Sequence, residues 1–133
     1  MPYENIRLES TITVDGTPHP IARIAINRPR ALNALNNHVL KELREALTEL
    51  DCDQTRALII TGAKHELSPK DIERAKAKGK EARPMPAAFV AGADIKAMPS
   101  MTLDEARAFV ELGQGVMQAL EDKYRAGGHS LTV

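Results

Sequence analysis

The run Arg56-Ala57-Leu58-Ile59-Ile60-Thr61 decides the fold of this chain. It is short, continuous and apolar, bounded by the polar stretch Asp51 to Thr55 and by Gly62. Such a run reads as a strand buried on both faces, as in a parallel sheet. Upstream, Val39, Leu40, Leu43, Ala46, Leu47 and Leu50 recur at helical spacing, with Lys41, Glu42, Arg44, Glu45 and Glu49 on the other face. This predicts an amphipathic helix from about Asn37 to Leu50, with Asn36 or Asn37 as its N-cap. Ile21 to Ile26 before it reads as a strand, ended by Asn27-Arg28-Pro29-Arg30 because proline lacks a donor and restricts its predecessor. Strand, helix and strand imply a right-handed parallel crossover, and hence an α/β architecture.

Toward the N-terminus, Ile6 to Val14 alternates apolar and polar and is followed by the turn residues Asp15-Gly16-Thr17-Pro18. An antiparallel hairpin with Ile21 to Ile26 is expected. Toward the C-terminus, Lys64 to Pro86 is dominated by Lys, Arg, Glu and Asp, and Ser68-Pro69-Lys70-Asp71 has the form of a capped helix start. Only Ile72 and scattered alanines give that segment an apolar face, so it reads as an exposed excursion. Thr102-x-x-Glu105 is a capping box opening a further helix, with Leu103, Ala106, Phe109 or Val110, Gly113, Met117 and Leu120 as its buried stripe. Beyond Leu120 the pattern fails.

Length and composition bound the function. The chain has 133 residues, 43% of them hydrophobic and 27% charged, which suits one folded domain and excludes disorder throughout. Eighteen Lys plus Arg balance eighteen Asp plus Glu, so no net field favours nucleic acid or an anionic membrane, and neither is an expected partner. Two Tyr, two Phe and no Trp leave little material for base stacking. Cys52, alone, has no partner for an intrachain disulfide and reads as a passive residue. His19, His38, His65 and His129 lie far apart, and no metal site is expected. The N-terminus lacks a signal-like pattern and no apolar run approaches the roughly 18 residues of a membrane span. The cytoplasm is the expected location.

Familiar catalytic patterns are missing. No serine sits in a G-x-S-x-G elbow, and Gly113-Gln114-Gly115 lies within a helical pattern, where it reads as a packing feature rather than a dinucleotide loop. Ala91-Gly92-Ala93-Asp94-Ile95 has a chemical rationale. A strand end of small residues passing into a helix leaves N–H groups free at the helix N-terminus, where negative charge is favoured. Small side chains would let a carbonyl approach the backbone, and Gly92 permits the bend. The alternative is that these residues pack closely beneath a helix. Arg30-Ala31-Leu32-Asn33-Ala34-Leu35 is a second small-residue turn between strand and helix, carrying a basic side chain.

Three motifs in order resemble the N-terminal half of the enoyl-CoA hydratase/isomerase (crotonase) superfamily. They are Asn27-Arg28-Pro29-Arg30-Ala31-Leu32-Asn33-Ala34-Leu35, then Arg56 through Thr61-Gly62-Ala63, then Phe89-Val90-Ala91-Gly92-Ala93-Asp94-Ile95-Lys96. The likeness runs to about Leu120. It implies a crotonase-like ββα spiral core, incomplete, with residues 1–120 its N-terminal part, 64–86 a charged insertion and 121–133 a divergent tail. It further implies an acyl-CoA thioester as partner, coenzyme A being part of the substrate and no separate cofactor being needed. Ala93 would give a backbone N–H to the thioester oxygen. Arg30, Ala31 and Leu32 would lie along the CoA arm, where Arg30 meets a phosphate or remains a solvated charge. Ala91 and Gly92 would flank the thioester, Asp94 and Ile95 would approach the adenine by their backbone, and Lys96 is a further phosphate candidate.

The family's two catalytic glutamates and its second oxyanion donor belong to a following half that Glu121 to Val133 does not match. Glu105, Glu111 and Glu121 read as a solvated helix face. Two readings follow: hydration of trans-2-enoyl-CoA, as in fatty-acid β-oxidation, or a truncated, inactive chain that binds CoA or associates with a full-length relative. An unrelated α/β binding module is the third. The family forms trimers or hexamers largely through C-terminal elements, so this chain is expected to lack that interface and to expose an apolar sheet face. The excursion at 64–86 is either a modifier of acyl access or a tolerated surface insertion.

Overall fold

The computed structural model describes residues 3–50 and 54–125. Cys52, His129 and Gly127-Gly128 lie outside them. The elements run in the order β1 (Ile6–Glu9), β2 (Ile12–Val14), β3 (Thr17–His19), β4 (Ile21–Ile26), α1 (Asn37–Glu49), β5 (Ala57–Gly62), α2 (Pro69–Ala77) and α3 (Leu103–Arg125).

The hairpin forms, but in two storeys. β1 pairs antiparallel with β4, Ile6 facing Ile26, and β2 pairs with β3 in a separate two-stranded ribbon. The reversal is Asp15-Gly16 alone, both residues having positive φ (50° and 77°), as a tight turn between twisted strands requires. Thr17 and Pro18, expected in the turn, belong to β3. β4 then pairs parallel with β5, giving the sheet order β1-β4-β5.

α1 connects the two parallel strands and its inward residues are the expected ones: Val39, Leu40, Leu43, Ala46, Leu47 and Leu50 are buried. The Asn36 carboxamide accepts the Val39 N–H at 2.9 Å and sets its start. These side chains close on Ile6, Ala22, Ile24, Ile26 and Leu58 to form the core. β5 is not buried on both faces. Leu58 faces the core, whereas Ile59 is 45% exposed, because β5 is the sheet's open edge and no second helix covers its outer side among the described residues.

α3 packs on α1 through part of the expected stripe. Phe109 of the pair Phe109 or Val110 is buried and Leu120 packs against the core, joined by Val116, Leu112 and Ala119, which were not expected, whereas Leu103, Val110 and Met117 are exposed at 76%, 52% and 45%. The helix continues to Arg125 rather than ending near Leu120. A Cβ on Gly113 would lie 3.7 Å from Leu40 Cδ1, so Gly113 is a packing position between the two helices, while Gly115 faces open space. α2 begins with the expected cap, Ser68 and Asp71 bonding reciprocally, and buries no residue. No helix among the described residues is long and apolar enough to cross a membrane.

Candidate functional site

Two loops meet at the end of the parallel strands, 27–36 following β4 and 87–97 following the charged excursion. The first begins with a 3-10 turn at Pro29–Ala31 and then places Leu32 and Asn33 in the left-handed region, with φ of 52° and 58°. Asparagine tolerates that conformation and leucine does so at a cost of about 1–2 kcal/mol, so the turn must be held by its surroundings.

Asn33 does much of the holding. It is 1% exposed. Its carboxamide oxygen accepts the Arg28 N–H at 2.8 Å, and its amide nitrogen donates to Ala63 O at 3.2 Å and Ala88 O at 2.8 Å. One side chain thereby joins both loops to the end of β5. The fit requires Gly62, since a Cβ there would overlap Ala88 O and stand 2.6 Å from both Asn33 Nδ2 and Phe89 O. Arg28 supplies a second tie, donating to Ala34 O at 2.5 Å and to the Asp94 carboxylate at 3.0 Å. The Lys96 backbone N–H and this guanidinium hold the Asp94 carboxyl below its ordinary range.

The loops then run side by side. Ala91 N donates to Leu32 O at 3.0 Å, Leu35 N to Gly92 O at 2.8 Å, and Asp94 N to Leu35 O at 2.7 Å, so Leu35 and Ala93 form a one-residue parallel bridge. In this bridge Leu35 pairs with Gly92 O and Asp94 N, the groups on either side of Ala93, so the Ala93 N–H is not used by Leu35 and meets no acceptor among the described residues. The expected cause was different. No α-helix starts at Asp94; a 3-10 turn follows at Met98–Ser100 and α3 begins only at Leu103, so the free N–H arises from the bridge with Leu35 and not from a helix terminus.

Ala93 lines a cleft of about 590 Å³ between this bridge and α3, walled by Leu35, Leu40, Phe109, Val110 and Met117, with Gln114, Gln118 and Glu121 at its polar side. An unpaired donor beside an apolar cleft suits a carbonyl joined to an aliphatic chain. Glu121 thus borders the cleft. Glu105 belongs to the cap of α3, where Thr102 Oγ1 accepts its N–H at 3.1 Å, and Glu111 is exposed.

The remaining expected residues divide into two groups. Ala91, Gly92, Asp94 and Ile95 lie on the bridge loop with Ala93. Gly92 has a φ of 124° with open space where a Cβ would point, so its glycine serves the bend. Lys96 is exposed just beyond. Leu32 joins this loop through its carbonyl, which accepts from Ala91, Ala31 lies in the turn just before it, and Arg30 pairs with Asp71 of α2 at 2.8 Å while its side chain stays 61% exposed. Sequence reasoning gave no role to Asn33 or to the side chain of Arg28. The only local signal was an asparagine in a turn after Arg-Pro; the partners that join the loops, Ala63, Ala88 and Asp94, are distant in sequence. Among the described residues no cluster of His, Cys, Asp or Glu could hold a metal ion.

A model of the Enoyl-CoA hydratase/isomerase family matches residues 16–83. Among curated proteins, the chain is 36% identical over 122 residues to a crotonyl-CoA hydratase of Syntrophomonas wolfei, covering 91% of this chain and 36% of that protein. It is 37% identical over 102 residues to a short-chain-enoyl-CoA hydratase of Clostridium acetobutylicum, covering 76% and 31%. Among solved structures, an enoyl-CoA hydratase from Bacillus anthracis superposes with a TM-score of 0.60 at 29% identity, over 89% of this chain and 36% of that one. The chain spans about a third of the length of these relatives.

Proposed function

Because the chain belongs to the enoyl-CoA hydratase/isomerase family, we propose that it forms the thioester-holding part of a site for acyl-CoA, serving hydration of trans-2-enoyl-CoA as in fatty-acid β-oxidation. The observation that carries this reading is the unpaired Ala93 N–H beside the apolar cleft. The thioester oxygen accepts from Ala93, and the acyl chain runs along Leu35, Phe109 and Val110. Addition of water places its oxygen on the β-carbon and a proton on the α-carbon, passing through enolate-like charge on the thioester oxygen. A donor fixed in advance stabilises that charge more than it stabilises the ground state.

The CoA arm lies over the two facing loops, along Ala31 and Leu32 on one side and Ala91, Gly92, Asp94, Ile95 and Lys96 on the other. Arg30 reaches a CoA phosphate only when it leaves Asp71.

A second reading is favoured by one observation: among the described residues, Glu121 is the only carboxylate bordering the cleft. On this reading the 133 residues by themselves bind the thioester without hydrating it. Titration with crotonyl-CoA, followed by an assay for loss of the conjugated double bond, separates the two. Binding with turnover supports the hydratase, and binding without turnover supports the second reading. Absence of saturable binding would sink both.

A further inference from the structure

We propose that the outward face of α3 is the docking surface for the α3 of a second copy of this chain, the two helices lying antiparallel about a two-fold axis at Gln114. Leu103, Val110 and Met117 recur every seven residues on that face and are exposed at 76%, 52% and 45%. Arg107, Gln114 and Glu121 recur at the same interval beside them and are exposed as well. At 3.6 residues per turn these six side chains fall within about 80° of one another round the helix, over a length of about 27 Å.

The other face of α3 is already occupied, since Phe109, Leu112, Val116 and Leu120 pack into the core with α1. The outward stripe is left in water. Apolar side chains repeating every seven residues are the pattern by which one helix lies along another, and a stripe of this kind left exposed marks a contact surface. Neither Arg107 nor Glu121 spends its side chain on an ion pair or hydrogen bond among the described residues.

The charges identify the occupant. A two-fold contact is self-complementary: where one residue meets another across it, the reverse pair is made as well. Arg107 and Glu121 lie at equal intervals on either side of the neutral Gln114. With antiparallel helices and Gln114 facing Gln114 at the axis, Arg107 meets Glu121 of the second copy, and Glu121 meets its Arg107. Val110 then packs beside Met117 of the second copy along the other side of the seam. Parallel helices in register would instead oppose Arg107 to Arg107 and Glu121 to Glu121. The same face walls the cleft beside Ala93, so the second helix also covers the open side of that cleft.

The test is sedimentation of the full 133-residue chain, without any CoA compound, over a range of concentrations. A seam of one helix stands at the small end of stable interfaces, so a monomer–dimer equilibrium is expected with a dissociation constant of about 10–100 μM. R107E and E121R should each weaken the dimer about tenfold or more, because symmetry turns two attractive pairs into two repulsive ones. The exchange R107E/E121R should return the affinity to near that of the native chain, and the deficit of each single variant should shrink as salt is raised. Both side chains are exposed and unpaired in the monomer, so all three variants should keep the native circular dichroism. A chain monomeric up to about 1 mM, assembly that runs past the dimer, single variants that dimerise like the native chain, or an exchange variant no better than the singles would each overturn the proposal. With no thioester present, these outcomes leave the reading of the Ala93 site untouched.

Discussion

Asn33 joins three backbone groups that no other side chain reaches, and its removal strands Arg28 N–H, Ala63 O and Ala88 O together. Buried groups left unpaired cost about 1–3 kcal/mol each, less where water enters. Asn33→Ala should therefore lower unfolding stability by about 2–4 kcal/mol in urea titration. A loss under about 0.5 kcal/mol would mean that the loops are held without it. Asn33→Asp should be no better, because a carboxylate presents acceptors to two carbonyl oxygens. The bond to Arg28, five residues away, is local, but the two that join the loops were not legible in the sequence, since Ala63 and Ala88 lie 30 and 55 residues away. Ala93 was legible in part. Its small neighbours marked a backbone donor, but the sequence pattern tied that donor to a helix start, whereas pairing with Leu35 frees it.

At the scale of elements, α1 was readable almost residue by residue because its period, its cap and its buried face agree. α3 was readable in part, since two apolar stripes share one helix: Phe109, Gly113 and Leu120 face α1 and the core as expected, but Leu112 and Val116 complete that face in place of Leu103 and Met117. Phe109→Ala should cost about 3 kcal/mol or more, and Leu103→Ala less than about 0.5 kcal/mol, by the same denaturation measurement. The opposite order would mean that Leu103 rather than Phe109 anchors α3.

α2 makes a pH-dependent prediction. Bonds from Ser68, aided by Arg30 and His65, lower the Asp71 carboxyl from 3.8 to about 2. A lowered folded pKa means that the contribution is present above the unfolded value and is lost as pH falls through the folded one. Docking of α2 on Arg30 should therefore persist above pH 4 and weaken between pH 3.8 and about 2, seen as increased amide exchange in α2. Asp71→Asn should remove that acid step, and a step of unchanged size in this variant would assign it to other carboxylates.

For the whole molecule, the sheet order β1-β4-β5 and the α1–α3 pair leave apolar surface in more than the expected place. A sheet face was expected to carry it, and Ile59 on β5 is exposed, but Leu103, Val110 and Met117 of α3 are exposed as well, with Phe89 and Ile95 on the bridge loop. Contiguous exposed apolar surface promotes association. Sedimentation should show concentration-dependent self-association, reduced in V110N/M117Q; a chain monomeric at all concentrations would show that this surface is inert. The same arrangement places the free Ala93 N–H at the cleft wall, and the account rests on that donor. The most direct measurement is the 13C resonance of a carbonyl-labelled acyl-CoA on binding, compared between the native chain and one in which the Ala93 amide is replaced by an ester. The account predicts a saturable downfield shift of the thioester carbonyl that is abolished or greatly reduced by the ester. An equal shift in both chains, or none in either, would contradict it.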